Sequence, residues 1–526
     1  MTKSDLQMQI QSPVPFSQSM VWKAQREYYD TQGVEAWSEQ VPFYVTSNPY
    51  IADQYAKILL RFFQDTLDQF PSSKNHPFYV IELGAGTGQF GFYTVKRLLE
   101  LQKSWQLHDL TIRYVLTDFT PKNLDYWNSH PAFQSMIRQG DIDFALFDIE
   151  QDTTIDLMHS GDSIRPSSLH NPISVVANYL FDSVVSDVFR VKDGTLEESL
   201  VHISIDRRFI NNQKVQWEKA KLSYTNRPAA RSYYDHPQFD KILRQYQTAL
   251  SDSYVQFPVG ALRGIEALSR LSEGRLLLVS SDKGHVSLSE LDELDQPELT
   301  FHGSFSTMVN YHAIAEFFNL NKGASYLQEL FDAFATGVFS LGFDLNHYPR
   351  LRSTLSDTVG SLAAGHYYHL YDHFVSSVDE ATLETIGSMM TLSKWDPAIF
   401  ELASSRISDL LADADDDVVG YIASGIQRIA ENYYHVPGSN DVLFELGVFH
   451  QENENFLAAI VLYEGSMMYF DEGYEVLFNL GYCHYELDNR EQSLSFFEKA
   501  KKYHFHLNEI NHYIEAINKK NYLAAL

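Results

Sequence analysis

The sequence predicts a doubly wound, Rossmann-like α/β domain followed by an all-α domain of helical repeats. Three observations carry this reading. Short apolar runs alternate with helical segments up to about residue 320, a glycine-rich turn closes the first of those runs, and only helical periodicity follows. The 526 residues allow two to four domains at roughly 150 residues each. An apolar content of 44% and an aromatic content of 14% are enough for large cores and exclude wholesale disorder.

Residues 1–40 read as an irregular, polar and aromatic-rich N-terminal extension with short helices. From Ile51 to Phe70, the positions Ile51, Tyr55, Ile58, Leu59, Phe62 and Phe63 recur at helical spacing, and Pro71-Ser72-Ser73 ends the helix. Phe78–Leu83 (FYVIEL) is a β-rich run closed by the turn Gly84–Gly88, with a helix over Phe92–Gln102. Arg113–Asp118 (RYVLTD) is a second strand ending on an acid, followed by a polar-aromatic helix. Ile142–Phe147, Ile173–Asn178 and Arg275–Ser280 are further strands, the last after a helix over Phe239–Leu250. Such alternation is the pattern of a parallel sheet covered on both faces. Residues 297–310 are expected to supply closing antiparallel strands, and Tyr326–Leu526 is expected to contain none. The expected organisation is an extension over 1–40, the α/β domain over 41–322, a helical region open to degenerate repeats over 323–435, and paired repeats with a capping helix (505–520) over 436–526.

Charge and composition exclude several classes of function. The 40 Lys and Arg stand against 69 Asp and Glu, a formal net charge of −29. This argues against nucleic acid and anionic membranes as main partners, since both select clustered cations. The single cysteine, Cys483, excludes an intrachain disulfide framework and cysteine-based structural zinc. The N-terminus lacks the apolar core of a signal peptide, and no apolar run is long enough to span a bilayer. The expectation is a cytoplasmic protein.

The turn Glu82-Leu83-Gly84-Ala85-Gly86-Thr87-Gly88 carries the most chemistry. A strand ending in an acid, then G-x-G-x-G before a helix, brings backbone close to a ligand without Cβ clashes. A second acid, Asp118, ends the next strand, with Phe119 beside it. This arrangement matches S-adenosyl-L-methionine binding, in which the second acid takes the ribose hydroxyls. NAD and a purely structural turn are the competing readings. Asp148 follows the third strand, where such folds contact the adenine amine; a solvated loop acid is its bland alternative. Asn178 ends the fourth strand, beside the expected sulfonium, with Asp182 one helical turn on; an N-cap is the bland reading for Asn178. The expected cofactor contacts are Glu82, Gly84, Ala85, Gly86, Gly88, Asp118, Phe119, Asp148 and Asn178. The candidate catalytic residues are Asn178, Tyr179 and Asp182.

The stretch Ala177-Asn178-Tyr179-Leu180-Phe181-Asp182-Ser183-Val184-Val185, with Asp187-Val188-Phe189 and Lys192-Asp193-Gly194, resembles the MidA-like class I methyltransferases. This family includes the mitochondrial complex I assembly factor that methylates a protein arginine. Pro42–Tyr50, Gly274–Val279 and Phe305–Tyr311, with Ala313 and Glu316, resemble further family segments in the same order, so the likeness spans about residues 40–320. It implies a class I methyltransferase domain using S-adenosyl-L-methionine. The family motif Asn-Glu-x-x-Asp-Ala-x-Pro is altered here: Tyr179 replaces its glutamate, and its proline is lost near Val185-Ser186. An arginine substrate needs a carboxylate to orient it and take its proton. Asp182 is one replacement; an Asn178 carbonyl acting with the Tyr179 ring is another.

Leu446-Gly447 and Leu480-Gly481 lie 34 positions apart, and Leu443/Leu477, Ala459/Ser493, Tyr463/Phe497 and Ser466/Ala500 align around them. This resembles tetratricopeptide repeats, whose period is 34. Such arrays bind extended peptides or helices, so a protein partner, either methyl acceptor or scaffold, is expected there. His366, His369 and His373 share a helical face but read as packed or solvated histidines rather than a metal site. The run Asp413–Asp417 reads as a solvated loop, and no metal is expected. Methyl transfer to a protein is the leading reading. An inactive methyltransferase-fold assembly factor and a small-molecule methyltransferase are the alternatives.

Overall fold

The computed structural model describes residues 7–37, 44–211, 214–329, 333–411 and 414–524. It divides into two compact units, Met1–Asp372 and His373–Leu526. Pro42 and Phe43 of the resemblance, and Asp413 of the acidic run, lie outside the described residues.

In the first unit, seven strands follow one path through an eight-stranded sheet: β1 (Phe78–Leu83), β2 (Ile112–Asp118), β3 (Ile142–Leu146), β4 (Ile173–Asn178), β5 (Leu276–His285), β6 (Ala324–Leu327) and β7 (Phe334–Leu341). Their order is β6-β7-β5-β4-β1-β2-β3. Neighbours run parallel except β7, which is antiparallel to both β5 and β6. All six residues of β1 are buried, which is why FYVIEL reads as a continuous apolar run rather than an alternation. The order reverses at β1, whose neighbours β2 and β4 lead away in opposite directions. A crevice therefore opens at the carboxyl ends of β1 and β4, the place where doubly wound sheets bind ligands.

Helices α1 (Met20–Gln32), α2 (Pro49–Gln69), α3 (Gln89–Ser104), α4 (Pro121–Ser129), α5 (Pro237–Ala249), α6 (Val259–Ser269) and α7 (Tyr311–Leu320) belong to the same unit. In α2 all six periodic positions from Ile51 to Phe63 are buried. Asn48 caps it by accepting from the Ile51 N–H at 3.0 Å, and Pro49 occupies its first position.

Four expectations are corrected. Two strands lie beyond residue 320, β6 and β7, so the sheet extends past the expected boundary at 322. All eight β7 positions are buried, which removes the two-residue alternation that would have marked FATGVFSL as a strand. Residues 297–310 supply no closing antiparallel strand: Thr300–His302 and Ser304–Ser306 form a separate hairpin, and Val309–Asn310 joins the sheet only as a short eighth strand parallel to the end of β5. The N-terminal extension is structured. Its strand Gln7–Pro15 joins a second, antiparallel sheet with Thr195–Asp206, Asp187–Lys192 and Asp252–Phe257 in that order, and Lys221–Pro228 also pairs with Thr195–Asp206. Phe16, Val21 and Trp22 pack against Val188, Val201, Ile203 and Phe305, which docks the start of α1 on that sheet. The fourth correction concerns residues 323–435, which are not helical throughout, because β6 and β7 fall inside them.

The second unit is helical: α8 (Leu383–Leu392), α9 (Pro397–Leu411), α10 (Asp416–Asn432), α11 (Val442–Glu452), α12 (Phe456–Ser466), α13 (Tyr474–Glu486), α14 (Arg490–Ala500) and α15 (Leu507–Ala524). The pairs α11–α12 and α13–α14 are built alike. A Cβ on Gly447 would lie 2.6 Å from the Tyr463 ring, and one on Gly481 would lie 2.8 Å from the Phe497 ring. The aligned positions from Leu443/Leu477 to Ser466/Ala500 are buried in both pairs. No helix among the described residues is long and apolar enough to cross a membrane.

Candidate functional site

The crevice at the carboxyl ends of β1 and β4 encloses about 1480 Å³, its open mouth included. One rim is built by β1, β2 and the glycine turn. Gly84, Gly86 and Gly88 all take positive φ, which side-chain-bearing residues rarely adopt. At Gly86 (φ +55°) a Cβ would also sit 2.9 Å from the Trp37 ring, so glycine is required there twice over. The turn is held from several sides. The Ala85 N–H donates to the Thr117 carbonyl at 2.9 Å, and the Trp127 indole N–H donates to the Gly86 carbonyl at 3.0 Å.

Asp118 is buried at the end of β2 and accepts from the N–H groups of Gly86 (3.2 Å) and Thr120 (2.9 Å) and from Asn123 Nδ2 (2.9 Å). Burial raises its pKa, and these donors oppose the rise. A carboxylate offers about four lone-pair sites, so this one retains capacity for a ligand hydroxyl. Glu82 accepts from the Tyr114 hydroxyl at 2.8 Å, and its Oε2 lies where a side chain on Gly91 would reach, 2.7 Å from that Cβ position. Burial pushes the Glu82 carboxyl up to about 8, so it is mostly protonated at neutral pH. It ties β1 to β2 and lies against α3 at Gly91 while lining the crevice.

The opposite rim comes from the ends of β4 and β5. The Asn178 side-chain oxygen accepts from the Tyr55 hydroxyl at 2.8 Å and from the Ser281 N–H at 3.2 Å. A backbone N–H can only donate, so the amide orientation is fixed by chemistry. Asn178 Nδ2 is then turned the other way, buried and without a partner. The expected use of the Asn178 carbonyl to accept from a substrate nitrogen is therefore corrected: that oxygen is committed to α2 and β5. Tyr179 takes φ +47°, donates its N–H to the Ser281 carbonyl at 3.0 Å and packs edge-on to Phe334 at 5.7 Å. Asp182 is buried in the crevice wall, and its Oδ1 accepts from the Ser183 hydroxyl at 2.9 Å. Thr307 donates its N–H and its hydroxyl to the Asp182 carbonyl at 3.3 and 3.2 Å.

The crevice brings together Glu82, Gly84, Ala85, Gly86, Asp118, Phe119, Asp148, Asn178, Tyr179 and Asp182; Gly88 starts α3 just outside its wall. The sequence reading missed the rest of the wall. Gln25, Arg26, Tyr29 and Trp37 reach it from the N-terminal extension, and Lys283 from the end of β5. Arg26 pairs with Asp148 and, at 3.1 Å, with Glu150, and its guanidinium lies 4.5 Å from the Phe119 ring centroid. Asp148 also accepts from Gln151 Nε2 at 2.8 Å. Its carboxylate is thus engaged by the protein itself at the expected adenine end. No local motif marks Arg26; only the docking of α1 brings it there. Among the described residues no group of three His, Cys, Asp or Glu is placed to hold a metal ion.

No family model and no curated protein matches the sequence. Solved structures from Burkholderia thailandensis are distantly similar. A COG1565 superfamily protein is 14% identical, with 63% of this chain and 88% of that one covered at a TM-score of 0.37. A second COG1565 superfamily member, bound to S-adenosyl-homocysteine, is 13% identical over 63% of this chain and 89% of its own at a TM-score of 0.40. An O-methyltransferase family protein is 9% identical over 60% and 69% at a TM-score of 0.23. Likeness this distant assigns no activity, and the fold described above stands on strand order and register alone.

Proposed function

We propose that the chain is an S-adenosyl-L-methionine-dependent methyltransferase of the MidA-like kind, with a protein substrate recruited by its C-terminal helix pairs. The observation that carries the reading is the pairing of a three-glycine turn with Asp118 at the point where the strand order reverses, opposite the unpartnered Asn178 Nδ2. The donor set suits this ligand: Asp118 retains an acceptor site for a ribose hydroxyl, and Asn178 Nδ2 offers donors to a carboxylate or other oxygen acceptor. Gly84–Gly88 supply backbone approach, and Phe119 supplies an apolar face. When bound, the cofactor supplies a methyl group already activated on sulfur, so the protein's part is to position the acceptor and exclude water.

The helix pairs support the choice of a protein substrate. Their 34-residue recurrence and matched buried positions fit tetratricopeptide repeats, and the net charge of −29 favours basic or neutral segments. An inactive assembly factor of the same fold is a second reading, favoured by Tyr179 packing on Phe334 where the family carries a carboxylate. Incubating the full chain with methyl-labelled donor and host-cell lysate decides between them. The proposal expects label in one or a few proteins; label confined to small molecules, or no transfer, contradicts it.

A further inference from the structure

Helix α12 is apolar both on the side it buries and on the side it leaves open. Ala459, Ile460, Leu462 and Tyr463 pack inward, while Leu457 and Val461, one helical turn apart, are each 68% exposed. Met468, in the turn that ends the helix, continues the same spacing and is 63% exposed. The three residues span about three turns of helix, roughly 16 Å at 1.5 Å per residue. One exposed leucine is ordinary, but a helix that is apolar all round is one that is covered all round.

The next helix pair shows that the repeat itself does not ask for this. The 34-residue period carries Leu457 to Glu491, Val461 to Ser495, Glu464 to Glu498 and Met468 to Lys502, and all four of these counterparts are exposed. The inward positions match between α12 and α14, with Ala459/Ser493, Tyr463/Phe497 and Ser466/Ala500 buried in both. The two helices therefore pack alike and differ on their outer faces. Charge narrows what covers the apolar one. From Ile429 to Asn489 the sequence carries eleven acids and no lysine or arginine. Glu464 stands within the apolar line, and Glu452 and Glu454 are exposed where the chain enters α12. A second copy of this chain would set these acids against themselves, whereas a segment bearing Lys and Arg is attracted to them.

We propose that the outer face of α12 docks an amphipathic helix of another protein, whose apolar residues seat on Leu457, Val461 and Met468 and whose flanking positions carry lysine or arginine. Helices packed side by side bury such lines between them. The inference rests on the recruiting role proposed for the helix pairs, names the face and the partner's chemistry, and does not depend on methyl transfer.

The test titrates the full chain with two synthetic helical peptides that share one leucine stripe, one with lysine at its flanking positions and the other with glutamate. Wild type is compared with the triple variant Leu457→Gln, Val461→Ser and Met468→Gln, which removes the apolar line without changing charge. All three side chains are exposed, so the melting midpoint should stay in place. The wild type is expected to bind the lysine peptide saturably and not the glutamate peptide, and the triple variant to bind the lysine peptide at least about tenfold more weakly. Glu464→Lys, which keeps the apolar line, should weaken it by about threefold. No binding by the wild type, equal binding by the triple variant, equal binding of both peptides, or no effect of Glu464→Lys overturns the inference. Sedimentation tests the other occupant: a wild-type dimer that the triple variant loses overturns the choice of a foreign partner. The same samples are titrated with S-adenosyl-homocysteine. Its binding with no peptide effect strikes this inference alone, and the peptide effect without its binding strikes the methyltransferase reading alone.

Discussion

The two rims of the crevice differ in which groups the chain itself holds and which it leaves open. On the β1–β2 rim the acids are held by the chain itself: Asp118 takes three donors, Glu82 takes Tyr114, and Trp127 holds the turn, while Asn123 Oδ1 and Thr120 Oγ1 lack partners. On the β4–β5 rim the amide is left open: Asn178 Oδ1 is held by Tyr55 and Ser281, while Nδ2 lacks a partner. A held carboxylate is a fixed acceptor, whereas an open amide keeps its donors for a ligand to complete. Under the proposed function, the first rim would offer acceptors to the cofactor and the second would offer donors.

Breaking the β1–β2 rim should have the largest effect. Asp118→Ala leaves the Gly86 and Thr120 N–H groups and Asn123 Nδ2 without their acceptor. It should cost about 2–5 kcal/mol of stability and abolish S-adenosyl-homocysteine binding, measured by denaturant unfolding and calorimetry. Unchanged stability would mean that the turn does not depend on Asp118.

Glu82 sharpens the comparison, because it is satisfied as the neutral acid. Its folded pKa of about 8 lies above the ordinary 4.5. The folded state therefore binds the extra proton between those values, and the stability Glu82 contributes is complete below pH 4.5 and is lost as pH rises through about 8. The denaturation midpoint of the wild type should fall across that window, and Glu82→Gln should flatten the fall. An equal slope in both proteins would remove Glu82 as its source.

The smallest expected effect concerns the cover over the rim. Arg26 lies across Phe119 and pairs with Asp148, so a purine at that end must displace it. Arg26→Ala should tighten S-adenosyl-homocysteine binding by about three- to tenfold, the value of a half-exposed ion pair. Weaker binding would show instead that Arg26 holds the ligand.

Much of the first rim was legible in the sequence because it is local. Phe78–Leu83, Gly84–Gly88 and Asp118 announce themselves by an apolar run, a glycine spacing and a strand-ending acid. The helix pairs around Gly447 and Gly481 were legible for the same reason, since a fixed period needs no tertiary knowledge. The second rim was half legible: Asn178, Tyr179 and Asp182 form one contiguous motif, but which amide atom faces the crevice depends on Tyr55 and Ser281, remote in the chain. Asp282 lies just past the apolar run Arg275–Ser280, and only the register of β5 against β4 reveals its position. Arg26, Tyr29 and Trp37 were hidden because the N-terminal segment reaches the crevice by docking Phe16 and Trp22 on a second sheet, whose polar alternating strands gave no signal of that contact. The strand β7 was lost to uniform burial.

The central claim is that the glycine turn at the reversal point binds S-adenosyl-L-methionine. Calorimetric titration of the full chain with S-adenosyl-homocysteine, wild type against Gly86→Arg, tests it most directly. At Gly86 both the positive φ and the Trp37 ring exclude a side chain. The account predicts saturable binding with one site to the wild type and none to Gly86→Arg. Absence of binding to the wild type, or equal binding by both, would contradict it.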